Sequence, residues 1–515
     1  MLCFFNKHLV PTISGICLLL YLTAGVFFTN FPLTLFERQY LLIAAFLVAL
    51  GGDDKQRFIL LVLAALFSTA SLAVVHEEAF LLMAELTGIG FLFWTNRKNK
   101  VYFPFFIILT ALVFHLYYLQ SIAVDYHQHD LDGILYYMRQ LLLTEDGLFK
   151  INPWNMYYLF HQPLHFIIIG QVYTLGLYLF EDSATALKGL QYVSLFYVTL
   201  SSVFAVRILK EFKLPALVFY AAVLFFCFNP TLFLFSGYLS DDPPAFFWGI
   251  LFLYNILIWY KNETNLHLIF AALCFALGVL TKLSILIMVP AVCFLFCCKF
   301  FMSKDKKKVL AQICLFIIVC VPLALIWVIR NHVLFDMSFY NIPDTSPSGQ
   351  NFKYLTFGER IGDFSQLFIP FINSPYTTEK NMWLALVKTE LFGEWDLSLT
   401  HLRLAIPALL LYLLTLLLKV ATLFCAFLLL RKKNFTVLHF FFVLIYFCVW
   451  GYSFKYALDY PYACSTDYRL FATLMLPETL ITVFIIPKNR QIAVCYFAGS
   501  VAYTVLSAFV YIFSV

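Results

Sequence analysis

The chain has 515 residues, 62% hydrophobic and 12% charged, with a net charge of +5. Soluble domains carry roughly 25% charged residues, so this composition excludes a water-surrounded globule and leaves lipid as the solvent for much of the surface. The small net charge gives no footprint for nucleic acid, and the 13 cysteines, such as Cys293, Cys297 and Cys298, sit mostly in apolar runs as packing residues, with no disulfide or zinc pattern.

In chain order, apolar stretches long enough, or nearly so, to cross a hydrocarbon core of roughly 30 Å fall at 9–28, 34–52, 57–75, 78–95, 102–121, 189–209, 215–234, 244–260, 266–281, 283–301, 309–329, 403–430, 435–454, 470–486 and 491–514. They predict an all-α polytopic membrane protein of about fifteen transmembrane helices. The first stretch lacks a small-residue cleavage site and reads as a helix rather than a removed signal. With the N-terminus in the cytoplasm, six basic loops fall on the inner side: Lys55–Arg57, Arg97–Lys100, Arg207–Lys213, Lys299–Lys308, Arg431–Lys433 and Lys488–Arg490. That is the distribution the positive-inside rule requires. Counting the apolar run 163–181 as a span would put Arg207–Lys213 outside, so it is read as a juxtamembrane helix on the outer leaflet.

The long or polar segments left on the outer side are 122–188, 235–243, 330–402 and 455–469. After the fifth stretch comes Asp125–Tyr126–His127–Gln128–His129–Asp130–Leu131–Asp132–Gly133, where carboxylates and imidazoles are dense enough to act as base, acceptor binder or metal ligands. The competing reading is a hydrated loop that caps a helix starting near Leu131. His161 and His165 flank Gln162–Pro163–Leu164 and, four apart, could share a helix face. They lack the Glu of a zinc-binding HExxH, so a polar rim on the surface helix is the plainer reading.

Further on, Asn229–Pro230 precedes Ser236–Gly237–Tyr238–Leu239–Ser240–Asp241–Asp242, where helix capping accounts for one carboxylate better than for two. Lys282 stands between two apolar runs, where it must snorkel or meet an anion. Asp467 and Arg469 close a short outer loop. There Arg469 could hold a phosphate with Asp467 orienting it, or the two could form a surface ion pair of little consequence. Lys419 lies within a span and either pairs or marks a break in an overlong helix. The stretch Asp344–Gln350 reads as a flexible loop.

Taken in order, these motifs resemble the GT-C superfamily of membrane glycosyltransferases, in the branch of protein O-mannosyltransferases and the lipid A aminoarabinose transferase. The motifs are His129–Asp130–Leu131–Asp132–Gly133, His161–Gln162–Pro163–Leu164–His165, Asn229–Pro230 with Ser236 to Asp242, Leu280–Thr281–Lys282–Leu283–Ser284, Ile329–Arg330–Asn331, Lys388–Thr389–Glu390–Leu391–Phe392–Gly393–Glu394–Trp395, and Tyr460 to Arg469. Gln162 stands where that branch has a first proline, and Ile134 where members often have histidine.

The resemblance spans roughly 102–486. It implies a GT-C-like core there, with outer loops 122–188, 330–402 and 455–469, preceded by extra helices in 1–101 and followed by a C-terminal helix in 487–515. It also implies sugar transfer, with inversion, from a polyprenyl-phosphate donor to a hydroxyl of a glycan, lipid or protein. The setting would be the outer face of a bacterial plasma membrane, or the ER membrane in a eukaryote. Asp130 is the expected base, with Asp132 second. Arg469, Lys282 and Arg330 would bind phosphate, with His129, His161, His165, Asp241, Asp242, Glu394 and Asp467 around the substrates. No cofactor is required, and a divalent metal at Asp130 with His127 or His129 is left open. The rival class is a multi-helix lipid or polysaccharide transporter or flippase, which should carry paired broken helices and midplane polar groups.

Overall fold

The computed structural model describes residues 103–143, 150–155, 157–337, 352, 354–372, 379–394, 404–486 and 489–514. The expected spans within 9–95 and the loop Asp344–Gln350 lie outside the described residues. Among the described residues there is no β-strand. The helices are α1 (Phe103–Ser121), α2 (Leu131–Leu143), α3 (Leu164–Phe180), α4 (Ser183–Lys210), α5 (Ala216–Cys227), α6 (Pro230–Gly237), α7 (Asp242–Asn262) and α8 (Asn265–Thr281), followed by α9 (Val289–Met302), α10 (Lys306–Phe335), α11 (Phe357–Gly362), α12 (Met382–Phe392), α13 (Ala405–Leu430), α14 (Val437–Asp459), α15 (Met475–Ile485) and α16 (Arg490–Phe513). Two 3-10 segments, Leu283–Met288 and Tyr468–Leu474, lead into α9 and α15.

Each expected span after residue 101 coincides with a helix. Among the described residues, ten helices are long and apolar enough to cross a membrane, taking α5 with α6 and each 3-10 lead with the helix it enters. The remaining stretch, 266–281, is α8, whose 17 residues extend about 26 Å. Side-chain pairing shows that α8 runs the length of the bundle. Near its start, Gln312 donates to Asn265 Oδ1 at 2.7 Å, while Lys282 just past its end meets Asp241 at 2.9 Å at the opposite end of α7. The chain is thus a multi-pass integral membrane protein.

Local sequence explains many of the turns. Asp182, Asn229, Asp305, Asn381, Thr436 and Asn489 each accept backbone N–H groups at a helix start, which satisfies donors that the helix leaves open. The apolar helix α3 folds back against α4 through a left-handed Glu181 and the Asp182 cap. Gly176 permits that approach, since a Cβ there would lie 3.1 Å from the Ala186 Cβ.

The bundle has two distinct polar ends. At one, Lys261 meets Glu211 at 2.9 Å, and Glu263 takes both Lys299 and Lys308 at 2.8 Å. These residues tie together the α4–α5, α7–α8 and α9–α10 turns. At the other end lie residues 122–130, 238–242, Lys282, Glu394 and 460–469. Between them, Lys419 of α13 pairs with Glu390 of α12 at 2.6 Å and with Glu478 of α15. Lys419 therefore pairs inside an unbroken helix rather than marking a break.

Candidate active site

The loop after α1 turns sharply at two left-handed residues, His127 (φ 55°) and Asp130 (φ 54°). Asp is among the residues that tolerate this conformation, so the turn is affordable at a modest cost. Between them Gln128 clamps the α6–α7 turn: its amide donates to the Gly237 carbonyl at 2.7 Å and its Oε1 accepts from Leu239 N–H at 2.9 Å. The clamp seats His129, which is buried, with its ring edge-on to Tyr238. Asp130 itself stays exposed where α2 begins.

The α6–α7 turn supplies the paired carboxylates. Asp241 stands at the N-cap of α7, yet its side chain makes no cap bond. It accepts from Lys282 Nζ at 2.9 Å and meets His161 Nδ1 at 3.1 Å. Asp242 bonds Lys282, accepts from Ser240 Oγ at 2.9 Å and faces Arg469 Nη1 at 3.4 Å. Lys282 neither snorkels nor lies idle: an extended backbone breaks the helix at α8's end and aims the ammonium at both carboxylates.

Asp467 does two jobs. One oxygen accepts the Arg469 backbone N–H at 3.0 Å, capping the 3-10 segment, and the other accepts Arg469 Nε at 2.9 Å. The Asp467–Arg469 pair is buried rather than a surface pair, and Asp242 extends it. Held at Nε and Nη1, the guanidinium has its plane fixed. The third wall is the end of α12. Thr389 gives its own proton to the Ala385 carbonyl at 2.8 Å and accepts from Tyr468 N–H at 2.9 Å, which registers α12 against this loop. Gly393 then takes φ 59°, ψ −144°, a conformation open to glycine. That turn brings Glu394 to 3.7 Å from His129 Nδ1, while His129 Nε2 lies 3.8 Å from Asp467.

Burial first, and then the neighbouring charges, set the protonation states. Burial, reinforced by Arg469, Lys282 and His127, holds the His129 ring well below its usual range, so it is neutral. Burial and then the Asp467 charge, with Asp130 adding and Arg469 opposing, push Glu394 up to about 7. Burial also raises Asp467, against the pull of Arg469. Burial opposes ionisation of Asp241, but Lys282 and His161 more than offset it and hold that carboxyl well below the usual range.

The structure thus brings together His129, His161, Asp241, Asp242, Lys282, Glu394, Asp467 and Arg469, with Asp130 at the edge, where its charge acts on Glu394 and Tyr158. Asp132 is exposed in the first turn of α2. His161 and His165 do not share a helix face. The helix begins at Leu164, so His161 precedes it, stacked on Tyr158 and Phe160. His165 is buried and bonds the Leu239 carbonyl at 2.9 Å, supporting the turn from behind. Arg330 stacks on Trp327 and Phe335, and bonds Asn331 and the Ile151 carbonyl; Trp327 in turn donates to the His161 carbonyl at 3.2 Å, so Arg330 stands behind His161 rather than among the paired carboxylates.

Sequence reading missed Tyr238, Gln128 as a clamp, Tyr158 and the Thr389 bridge. Their signal is weak, because aromatic and hydroxyl residues abound in this chain. For a divalent metal, one ligand atom each from His129, Glu394 and Asp467 lies within 4.8 Å of the others. Both Asp467 oxygens already accept N–H groups of Arg469, so a metal in that set would have to displace them. The set therefore fits a metal poorly, and the chemistry below uses none. Compared with models of known protein families and with curated protein sequences, the chain gives no match.

Proposed function

We propose that the chain is a GT-C-like glycosyltransferase that moves a sugar from a polyprenyl-phosphate donor to an acceptor hydroxyl at the end of the bundle where these residues meet, taken to be the outer face. The observation that carries this reading is the Arg469 guanidinium, fixed by Asp467 and Asp242 beside Lys282, at the edge of a cluster that opens to Asp130. Transfer from a lipid phosphate needs two things there. A base must take the acceptor proton as the new bond to the anomeric carbon forms. Fixed cations must receive the charge that grows on phosphate as the old C–O bond breaks.

Asp130, exposed and within electrostatic reach of Glu394, suits the first role better than Asp132, which lies exposed in the first turn of α2. Arg469 suits the second: its contact to Asp242 is long at 3.4 Å, so a phosphate oxygen can displace it while Asp467 keeps the plane. Attack by the acceptor in one displacement inverts the anomeric centre and releases polyprenyl phosphate.

A specific observation favours the transporter reading as well. The buried Lys419–Glu390–Glu478 triad and the breaks at Asn229, Leu283–Met288 and Tyr468–Leu474 are features that transporters use. Against it, two of the breaks begin at the same end of the bundle as the cluster, and they do not pair between two halves of the chain.

The test is release of polyprenyl phosphate from a panel of polyprenyl-phosphate sugars by the purified protein. Wild type should release it. Arg469→Ala should lose roughly 1.5–3 kcal/mol of donor binding, the worth of a charge-assisted bond, and Arg469→Lys should recover only part. Equal release by all three proteins removes Arg469 from the site. Donor crossing sealed vesicles without cleavage selects the transporter.

A further inference from the structure

Arg360 lies in the single-turn helix α11, and 3% of it is exposed. None of its three guanidinium nitrogens has a hydrogen-bond partner among the described residues. Its face rests on the Phe352 ring, 4.8 Å from the centroid, which leaves the in-plane N–H edge unused. Burial alone acts on its ionisation, drawing it down to about 10, with no carboxylate opposing. A buried, unpaired charge is costly and is normally paired or removed. Lys282 and Arg469 are each met by two carboxylates; Arg360 is met by none.

The guanidinium is nevertheless firmly mounted. Thr356 and Glu359 form a capping box at the start of α11. Asn381 donates to the Ile361 carbonyl at 2.7 Å, and Phe352 N–H donates to the Pro461 carbonyl at 2.7 Å. Asn381 caps α12, whose far end leads to Glu394. α12 is eleven residues long, about 16 Å, so Asn381 and the Gly393–Glu394 turn stand at its two ends, while Phe352 ties this segment to the 460–469 loop. Tyr354, Phe357, Phe364 and Phe368 are exposed around it, as aromatic residues are at the level of lipid headgroups.

We propose that Arg360 is a second anion-binding site at this end of the bundle, which takes a phosphate group on its free guanidinium edge. A phosphate presents several oxygens to that edge and matches its fork geometry. The site uses none of the residues paired with Arg469 or Lys282, and the proposal stands whether or not the chain transfers sugar.

The test uses the full chain carrying Arg469→Ala, which silences the first cation. One arm titrates inorganic phosphate in a phosphate-free maltoside detergent. The other compares nanodiscs of phosphatidylcholine with and without phosphatidic acid. The melting temperature should rise with the logarithm of ligand concentration in at least one arm. A rise with inorganic phosphate identifies a free anion, and a rise with phosphatidic acid alone identifies a lipid headgroup. Adding Arg360→Met should abolish the rise and weaken phosphate binding by about tenfold or more. Because the charge has no partner before the ligand arrives, Arg360→Met should melt no lower than its parent when ligand is absent. A rise that survives Arg360→Met, no rise in either arm, or a drop in ligand-free melting would overturn the assignment.

Discussion

At the residue scale, the candidate site is a problem of excess negative charge. Asp241, Asp242 and Asp467 share Lys282 and Arg469, and Glu394 is added beside them. Burial, and then the Asp467 charge, favour a proton on Glu394, which moves from an ordinary 4.5 to about 7. A carboxyl that binds its proton more tightly in the folded state contributes stability at acid pH, which is lost as pH rises through its folded value. Between pH 4.5 and about 7 the native protein should therefore lose stability, by at most about 3 kcal/mol from this group. Glu394→Gln, which cannot ionise, should flatten the melting temperature across that window relative to wild type. Parallel profiles for the two proteins would show that Glu394 is already ionised.

Which site residues were legible in the sequence follows from where charge stood in the chain. Asp241, Asp242, Lys282, Asp467 and Arg469 each interrupt or border an apolar run, where an unpaired charge is costly, and each proves to be paired. Arg330 borders a run in the same way, but aromatic stacking, the Asn331 side chain and the Ile151 carbonyl meet it instead. The same signal in the sequence therefore covers two different roles. The spacing of His161 and His165 misled because Pro163 places the helix start between them.

At the element scale, α12 links the site to the interior. One face carries Thr389, which registers the Asp467–Arg469 loop; one residue on, Glu390 reaches Lys419, and Asn229 at the cap of α6 donates to Glu390 at 3.1 Å. Tyr468, next to Arg469, lies with its ring 4.9 Å from the Lys419 ammonium. These contacts join elements far apart in the chain, so no local pattern announced them. Glu478 in particular reads as a stray acid in an apolar run until α13 is placed beside it. Lys419→Met should destabilise the protein by about 3–5 kcal/mol, because it strands two buried carboxylates. Adding Glu390→Gln and Glu478→Gln should restore most of that loss, as read by melting in detergent. A neutral Lys419→Met would mean that the carboxylates are already protonated.

For the whole molecule, span positions among the described residues were the most legible feature, since each is fixed by a long apolar run and its polar borders. The juxtaposition of six separate segments at one end was not, because it depends on helix packing. If that end is extracytoplasmic, an impermeant maleimide added to sealed cells should label Ser365→Cys and spare Lys304→Cys, both at exposed positions. Labelling of Lys304→Cys alone inverts the orientation and removes the site from the outer face.

The central claim, that this cluster transfers a sugar with Asp130 as base, is tested most directly by turnover of Asp130→Asn. Asparagine also tolerates the left-handed backbone at this position, so the turn and the melting temperature should be retained. Loss of a general base costs about 10²–10⁴-fold in rate, and polyprenyl phosphate release by Asp130→Asn should fall by that factor while Asp132→Asn stays close to wild type. Full turnover by a well-folded Asp130→Asn protein would contradict the claim.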